Sequence, residues 1–126
     1  MMHVLYVALG GAVGASARHL VGLLTLRLFG PGFPVGTLAV NVVGSFLMGV
    51  LIASLVKGAL GTGPEWRLFL ATGVLGGFTT FSAFSLDTIV LWERGETAAA
   101  LIYVVVSVGL SILALVAGLM LVRASS

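Results

Sequence analysis

Residues 97–122, TAAALIYVVVSVGLSILALVAGLMLV, run without one charged side chain. A helix crosses the ~30 Å hydrocarbon core of a bilayer in about 20 residues, so this stretch is long enough and apolar enough to do so. Lipid offers no partner to backbone amides and carbonyls, and a single spanning segment of this length satisfies them as a helix. Three more segments read the same way: His3 to Phe29, Val35 to Val56 and Glu65 to Glu93, with Thr97 to Val122 as the fourth. Turn-rich linkers separate them, FGPGFPVG, KGALGTGPE and ERGE. Linkers this short force consecutive spans to run antiparallel. The sequence therefore predicts an all-α integral membrane protein, one domain over residues 1–126 with four transmembrane helices and no internal repeat. Charge content agrees, at 8% against roughly 25% in soluble domains. The six basic and four acidic residues are scattered singly, which excludes a nucleic-acid patch. The absence of cysteine excludes disulfides, thiolate metal sites and cysteine nucleophiles. The N-terminus lacks a basic leader and its apolar run exceeds a signal-peptide core, so no cleaved signal is expected.

The third segment is too long for one straight helix. At ~1.5 Å per residue it would reach ~43 Å. Near its middle lies GGFTTFSAFSLD, Gly76 to Asp87, with an unusual density of polar groups. A glycine pair is a recognised site of helix failure, which predicts a break at Gly76-Gly77. Broken backbone at membrane depth is tolerated only inside protein or beside water, where its free carbonyls become available to ions. The plainer reading is a kinked helix whose serines and threonines bond back to their own backbone.

Polar residues elsewhere fall into stripes. Thr37, Asn41 and Ser45 share one face of the second span; Tyr103, Ser107 and Ser111 share one face of the fourth. On the first, Gly10, Gly14, Arg18 and Gly22 share a face, which marks close packing and turns Arg18 toward protein as a structural interior charge. Asparagine amides and hydroxyls donate hydrogen bonds, and phenylalanine has a positive ring edge. A path so lined suits a small anion, whereas a cation path calls for carboxylates or carbonyls. Asp87 is the one acid inside a span, and it lies toward one end. Lysine and arginine near the span ends are nearly balanced, with Lys57, Arg67 and Arg123 on one side and Arg27 and Arg94 on the other. Such a chain can insert both ways and pair with an inverted copy, unless a few well-placed charges decide the orientation.

Three motifs then carry a resemblance across nearly the whole chain: GASARHL around Arg18, GTLAVNVVGS around Asn41, and GGFTTFSAFS in the third span. Together they resemble the Fluc (CrcB) fluoride channel family. The resemblance implies a dual-topology antiparallel homodimer of inverted subunits, two fluoride pathways and a central sodium ion. It assigns Asn41, Phe81 and Phe84 to the pore, and Tyr103, Ser107 and Ser111 to a hydroxyl track, with Thr37 and Ser82 as further lining. It assigns sodium to the backbone carbonyls of Gly76 and Thr79. Phe78 falls where the family has a variable apolar residue and is left out. Asp87 stands where the family usually has glutamate.

The resulting expectation is a passive fluoride-selective channel in the cell inner membrane, with fluoride, membrane lipid and a second copy of the chain as partners. Its effect would be to lower fluoride toxicity. The alternative is a small four-span, proton-coupled multidrug antiporter, which the missing first-span glutamate disfavours; a third reading is a structural subunit of a larger membrane complex. An enzyme fits least, because no nucleophile–base pair or metal cluster is readable and His3 and His19 stand alone.

Overall fold

The computed structural model describes residues 2–61 and 63–125. Helix α1 spans Met2–Phe29 and α2 spans Val35–Val56. The third span comprises α3 (Arg67–Leu75, wound as a π-helix), α4 (Gly76–Phe78) and α5 (Phe81–Glu93). Helix α6 spans Thr97–Ala124. Among the described residues four helical stretches are long and apolar enough to cross a membrane, Met2–Phe29, Val35–Val56, Arg67–Glu93 and Thr97–Ala124. Among the described residues there is no strand. This is a multi-pass, all-helical membrane protein.

The helix ends follow from local chemistry. At the end of α5, Gly95 adopts φ +83°, donates to the Trp92 carbonyl at 3.0 Å, and lets Glu96 donate to the Leu91 carbonyl at 3.0 Å. Two orphan carbonyls are thereby satisfied, and the chain reverses within a few residues. Lys57, just past α2, donates its ammonium to the Val122 carbonyl in the last turn of α6.

Lipid tails are as apolar as leucine, so helices associate here through close packing rather than by escaping water. Helix α2 lies along α6, with Gly49 against the Leu115 carbonyl and Gly118 against the Phe46 carbonyl. Helix α1 lies along α3 and α4. A Cβ at Gly10 would sit 2.8 Å from the Gly73 Cα, and one at Gly77 would sit 2.8 Å from the Gly11 carbonyl oxygen. Helix α5 packs on α6 through side chains, with Phe84, Leu91, Ala100 and Tyr103 forming the buried cluster. Large apolar residues such as Leu24, Val105 and Leu113 cover the outside.

The helical backbone of the third span is interrupted, though not where the glycine pair suggests. Gly76 and Gly77 are helical. Thr79 (φ −86°, ψ 160°) and Thr80 (φ −155°, ψ 118°) are extended instead. Of the pair, Gly77 serves proximity: it has no room for a side chain against α1. Glycine permits a break without causing one.

Candidate functional site

Asn41, on α2, reaches the extended pair. Its Nδ2 donates to the Thr80 carbonyl at 3.0 Å, and its Oδ1 accepts from the Thr80 amide at 2.7 Å. The Thr80 hydroxyl in turn accepts from the Ala83 amide at 3.2 Å, capping the start of α5. In an uninterrupted helix the Thr80 amide would donate to Gly76 and the Ala83 amide to Thr79, since each N–H bonds the carbonyl four residues back. Both amides are diverted to side chains. Among the described residues the Gly76 and Thr79 carbonyls gain no other donor. The neighbouring Gly77 carbonyl accepts from Arg18 Nε at 3.0 Å, which ties α1 to the interruption. The amide and the hydroxyl of Thr79 both donate to the Leu75 carbonyl at 3.0 Å.

Beside the interruption opens a cavity of about 380 Å³. Its walls bring together Asn41, Ser45, Thr79, Thr80, Phe81, Phe84, Ser107 and Ser111, with no charged residue among them. An asparagine amide carries two N–H donors, of which one is used on Thr80. The Ser107 hydroxyl is buried and has no hydrogen-bond partner, a costly state for a polar group that nothing satisfies. The Phe81 and Phe84 ring centroids are 5.5 Å apart at 52°. Phe81 is 77% exposed on the single chain, whereas Phe84 is buried. Neutral donors, hydroxyls and ring edges without a carboxylate can take the place of water around a small anion.

The remaining expected positions lie apart from this cavity. Tyr103 is fully buried behind Phe84, with ring centroids 5.2 Å apart, and donates its hydroxyl hydrogen to Asp87 Oδ2 at 3.0 Å. Its stripe thus divides: Ser107 and Ser111 face the cavity and Tyr103 does not. Thr37 lines two neighbouring clefts of about 300 Å³ each, one shared with Phe33, Asp87 and Arg94, the other with Arg18 and Thr80. Ser82 is exposed on α5, its hydroxyl 3.4 Å from that of Thr80. Phe78 packs beneath α2, near Gly44. Two contributors escaped the sequence reading. Phe33, in the first linker, meets the Tyr103 ring edge-on, with centroids 5.5 Å apart at 87°. Thr80 carries the cap, and a threonine just before an apolar helical run is a signal that could have identified it.

Among the described residues no group of three or more histidine, cysteine, aspartate or glutamate side chains could hold a metal.

The sequence model of one family, described as CrcB-like protein, Camphor Resistance (CrcB), matches residues 5–119. The chain belongs to the CrcB family. Similar proteins include the fluoride-specific ion channel FluC of Rhizobium meliloti, 59% identical over 124 residues that cover 98% of each chain. The protein of the same name from Cereibacter sphaeroides is 60% identical over 119 residues, 94% of this chain and 93% of the relative. That from Agrobacterium fabrum is 54% identical over 123 residues, again 98% of each. The match of this CrcB-family chain runs through all four spans, so every wall of the cavity lies inside it. Nothing in these relatives supports the antiporter alternative.

Proposed function

We propose that the protein is a fluoride-selective channel of the plasma membrane, not an enzyme, which lets fluoride leave the cytoplasm down its gradient and so limits its toxicity. The observation that carries this reading is the cavity beside Thr79–Thr80, where an amide, hydroxyls and two phenyl rings stand among aliphatic side chains with no charged residue. The names of relatives matched along 98% of their length supply the ion. Asn41, Ser107 and Ser111 donate to the passing anion, and Phe81 and Phe84 present ring edges. Thr37 stands at the cleft shared with Asp87, Ser82 lies on the outer face of α5, and Tyr103 holds Phe84 from behind.

The functional unit in this reading is a homodimer of inverted subunits within lipid. The near balance of Lys57, Arg67 and Arg123 against Arg27 and Arg94 supports two-way insertion. The exposure of Phe81 supports a second chain covering it. Sodium is assigned to the Gly76 and Thr79 carbonyls of both copies. The diversion of two amides away from those oxygens supports the fit, and neutral oxygen donors suit a hard, singly charged ion. When bound, sodium would supply positive charge that holds the two interruptions together.

The test is efflux from liposomes that contain only this protein, loaded with potassium fluoride or potassium chloride. With valinomycin carrying the compensating charge, fluoride should leave without any proton gradient and chloride should stay. Strict dependence on counter-moving protons would overturn the channel reading. Reporters at the C-terminus should register on both membrane sides, and a single orientation would overturn the inverted dimer.

A further inference from the structure

We infer that Asn41 and Thr80 form a clamp that holds the third span open, so that one side chain, Asn41, serves both the carbonyl cluster and the anion cavity. The carbonyl half of this inference rests on the sodium reading above; the clamp itself does not.

An extended pair in the middle of a membrane helix needs a reason not to close. Closing would return two amides to two carbonyls, Thr80 to Gly76 and Ala83 to Thr79. Each amide is instead held by a side-chain oxygen, Asn41 Oδ1 at 2.7 Å and Thr80 Oγ1 at 3.2 Å. The Asn41 amide is well suited to this because it answers the Thr80 peptide group in both directions, accepting from its N–H and donating to its carbonyl. Aspartate could only accept, and an apolar residue could do neither. The bonds also leave Asn41 on the wall of the cavity, beside Thr79 and Thr80. Because coupling between two sites is reciprocal, a shared side chain makes the cation requirement and the anion site mutually dependent. Asn41 and Thr80 are positioning residues for the carbonyls, whatever Asn41 also donates to the anion.

The experiment uses the full chain, purified and reconstituted, as Asn41→Ala, Thr80→Val, Thr80→Ser and Ser107→Ala. The first readout is the 13Cα shift of Thr79 and Thr80 in threonine-labelled protein, which separates extended from helical backbone without reference to sodium. The second is the sodium concentration at half-maximal thermal stabilisation, with N-methylglucamine as the replacement cation. In the parent both threonines should give extended shifts. Asn41→Ala should move both toward helical values, and Thr80→Val should do so at Thr79, the one of the two labelled threonines it keeps. Both variants should raise the sodium midpoint about tenfold, or ~1.4 kcal/mol, of the order of one hydrogen bond. Thr80→Ser keeps the hydroxyl and should match the parent. Ser107→Ala, which does not touch the interruption, should slow fluoride flux and leave the sodium midpoint unchanged. Extended shifts and an unchanged midpoint in both Asn41→Ala and Thr80→Val would overturn the clamp. If Asn41→Ala does not assemble, Thr80→Val against Thr80→Ser decides the matter alone. A parent indifferent to sodium would refute the cation reading, and the threonine shifts would still decide the clamp.

Discussion

Upstream of Thr79 the third span meets α1 through glycines, and downstream of Thr80 it meets α6 through rings. In the upstream half, a methyl group on Gly73 or Gly77 would strike the backbone of Gly10 or Gly11. Backbone touches backbone there, and no side chain is left to do chemistry. In the downstream half, Phe84 and Leu91 are buried against Ala100 and Tyr103, and Phe81 stays exposed at the cavity. The contrast shows how one membrane segment can be both scaffold and site. The glycine half anchors the chain so that the join, Thr79–Thr80, can be held extended by Asn41. The aromatic half then begins with freshly positioned side chains. Packing in the first half is all or none, whereas in the second it is graded by ring and hydroxyl.

Five substitutions separate the halves by their effect on stability. The largest effect is expected at Gly14→Leu. A side chain there would run into the Val74 carbonyl and lie 2.8 Å from the Phe78 amide. Overpacking against rigid backbone should cost at least ~3 kcal/mol and abolish a monodisperse peak on size-exclusion chromatography. Gly11→Ala, one turn away with nothing within 4 Å of its added Cβ, should keep that peak. Next comes Phe84→Ala in the downstream half. Removing a buried ring that supports Tyr103 should cost about 3–5 kcal/mol, seen as a lowered thermal midpoint of a still-folded protein. Tyr103→Phe should cost less, ~1–3 kcal/mol, by leaving Asp87 without the hydroxyl that donates to it at 3.0 Å. The double change Tyr103→Phe with Asp87→Asn should recover less than the full loss, and a double-mutant cycle on the thermal midpoint checks the coupling.

The spans were readable from sequence because lipid imposes one simple rule, a run of apolar residues with punctuation at its ends. Gly95 and the ERGE linker obey that rule, and α5 ends at Glu93 as expected. Helical periodicity puts Asn41 with Ser45 and Ser107 with Ser111, whereas Phe81 and Phe84 were legible only through the family resemblance; all six line the one cavity. The position of the interruption was not readable in that way. Gly76-Gly77 is the weakest local helix former, yet the extended residues are threonines, because the deciding partner, Asn41, lies 39 positions away in the chain. Local propensity cannot register a hydrogen bond from another helix. The division of the Tyr103 stripe was hidden for a similar reason. Tyr103 shares a helix face with Ser107 and Ser111, but Phe84 from α5 and Phe33 from a linker cover it.

The smallest change in stability is expected where the account places the greatest change in transport. Phe81 is 77% exposed on the single chain and lines the cavity, so Phe81→Ile should shift the stability of the single chain's fold by no more than ~0.5 kcal/mol, and any larger loss would come from the contact with the second copy. It keeps apolar bulk and removes the ring edge. The decisive measurement is the fluoride efflux rate of Phe81→Ile in valinomycin-shunted liposomes, made on protein whose thermal midpoint and size-exclusion peak match the parent. The account expects efflux to fall to the level of protein-free liposomes. Efflux at the parental rate would contradict it, and would remove the downstream half of the third span from the fluoride path.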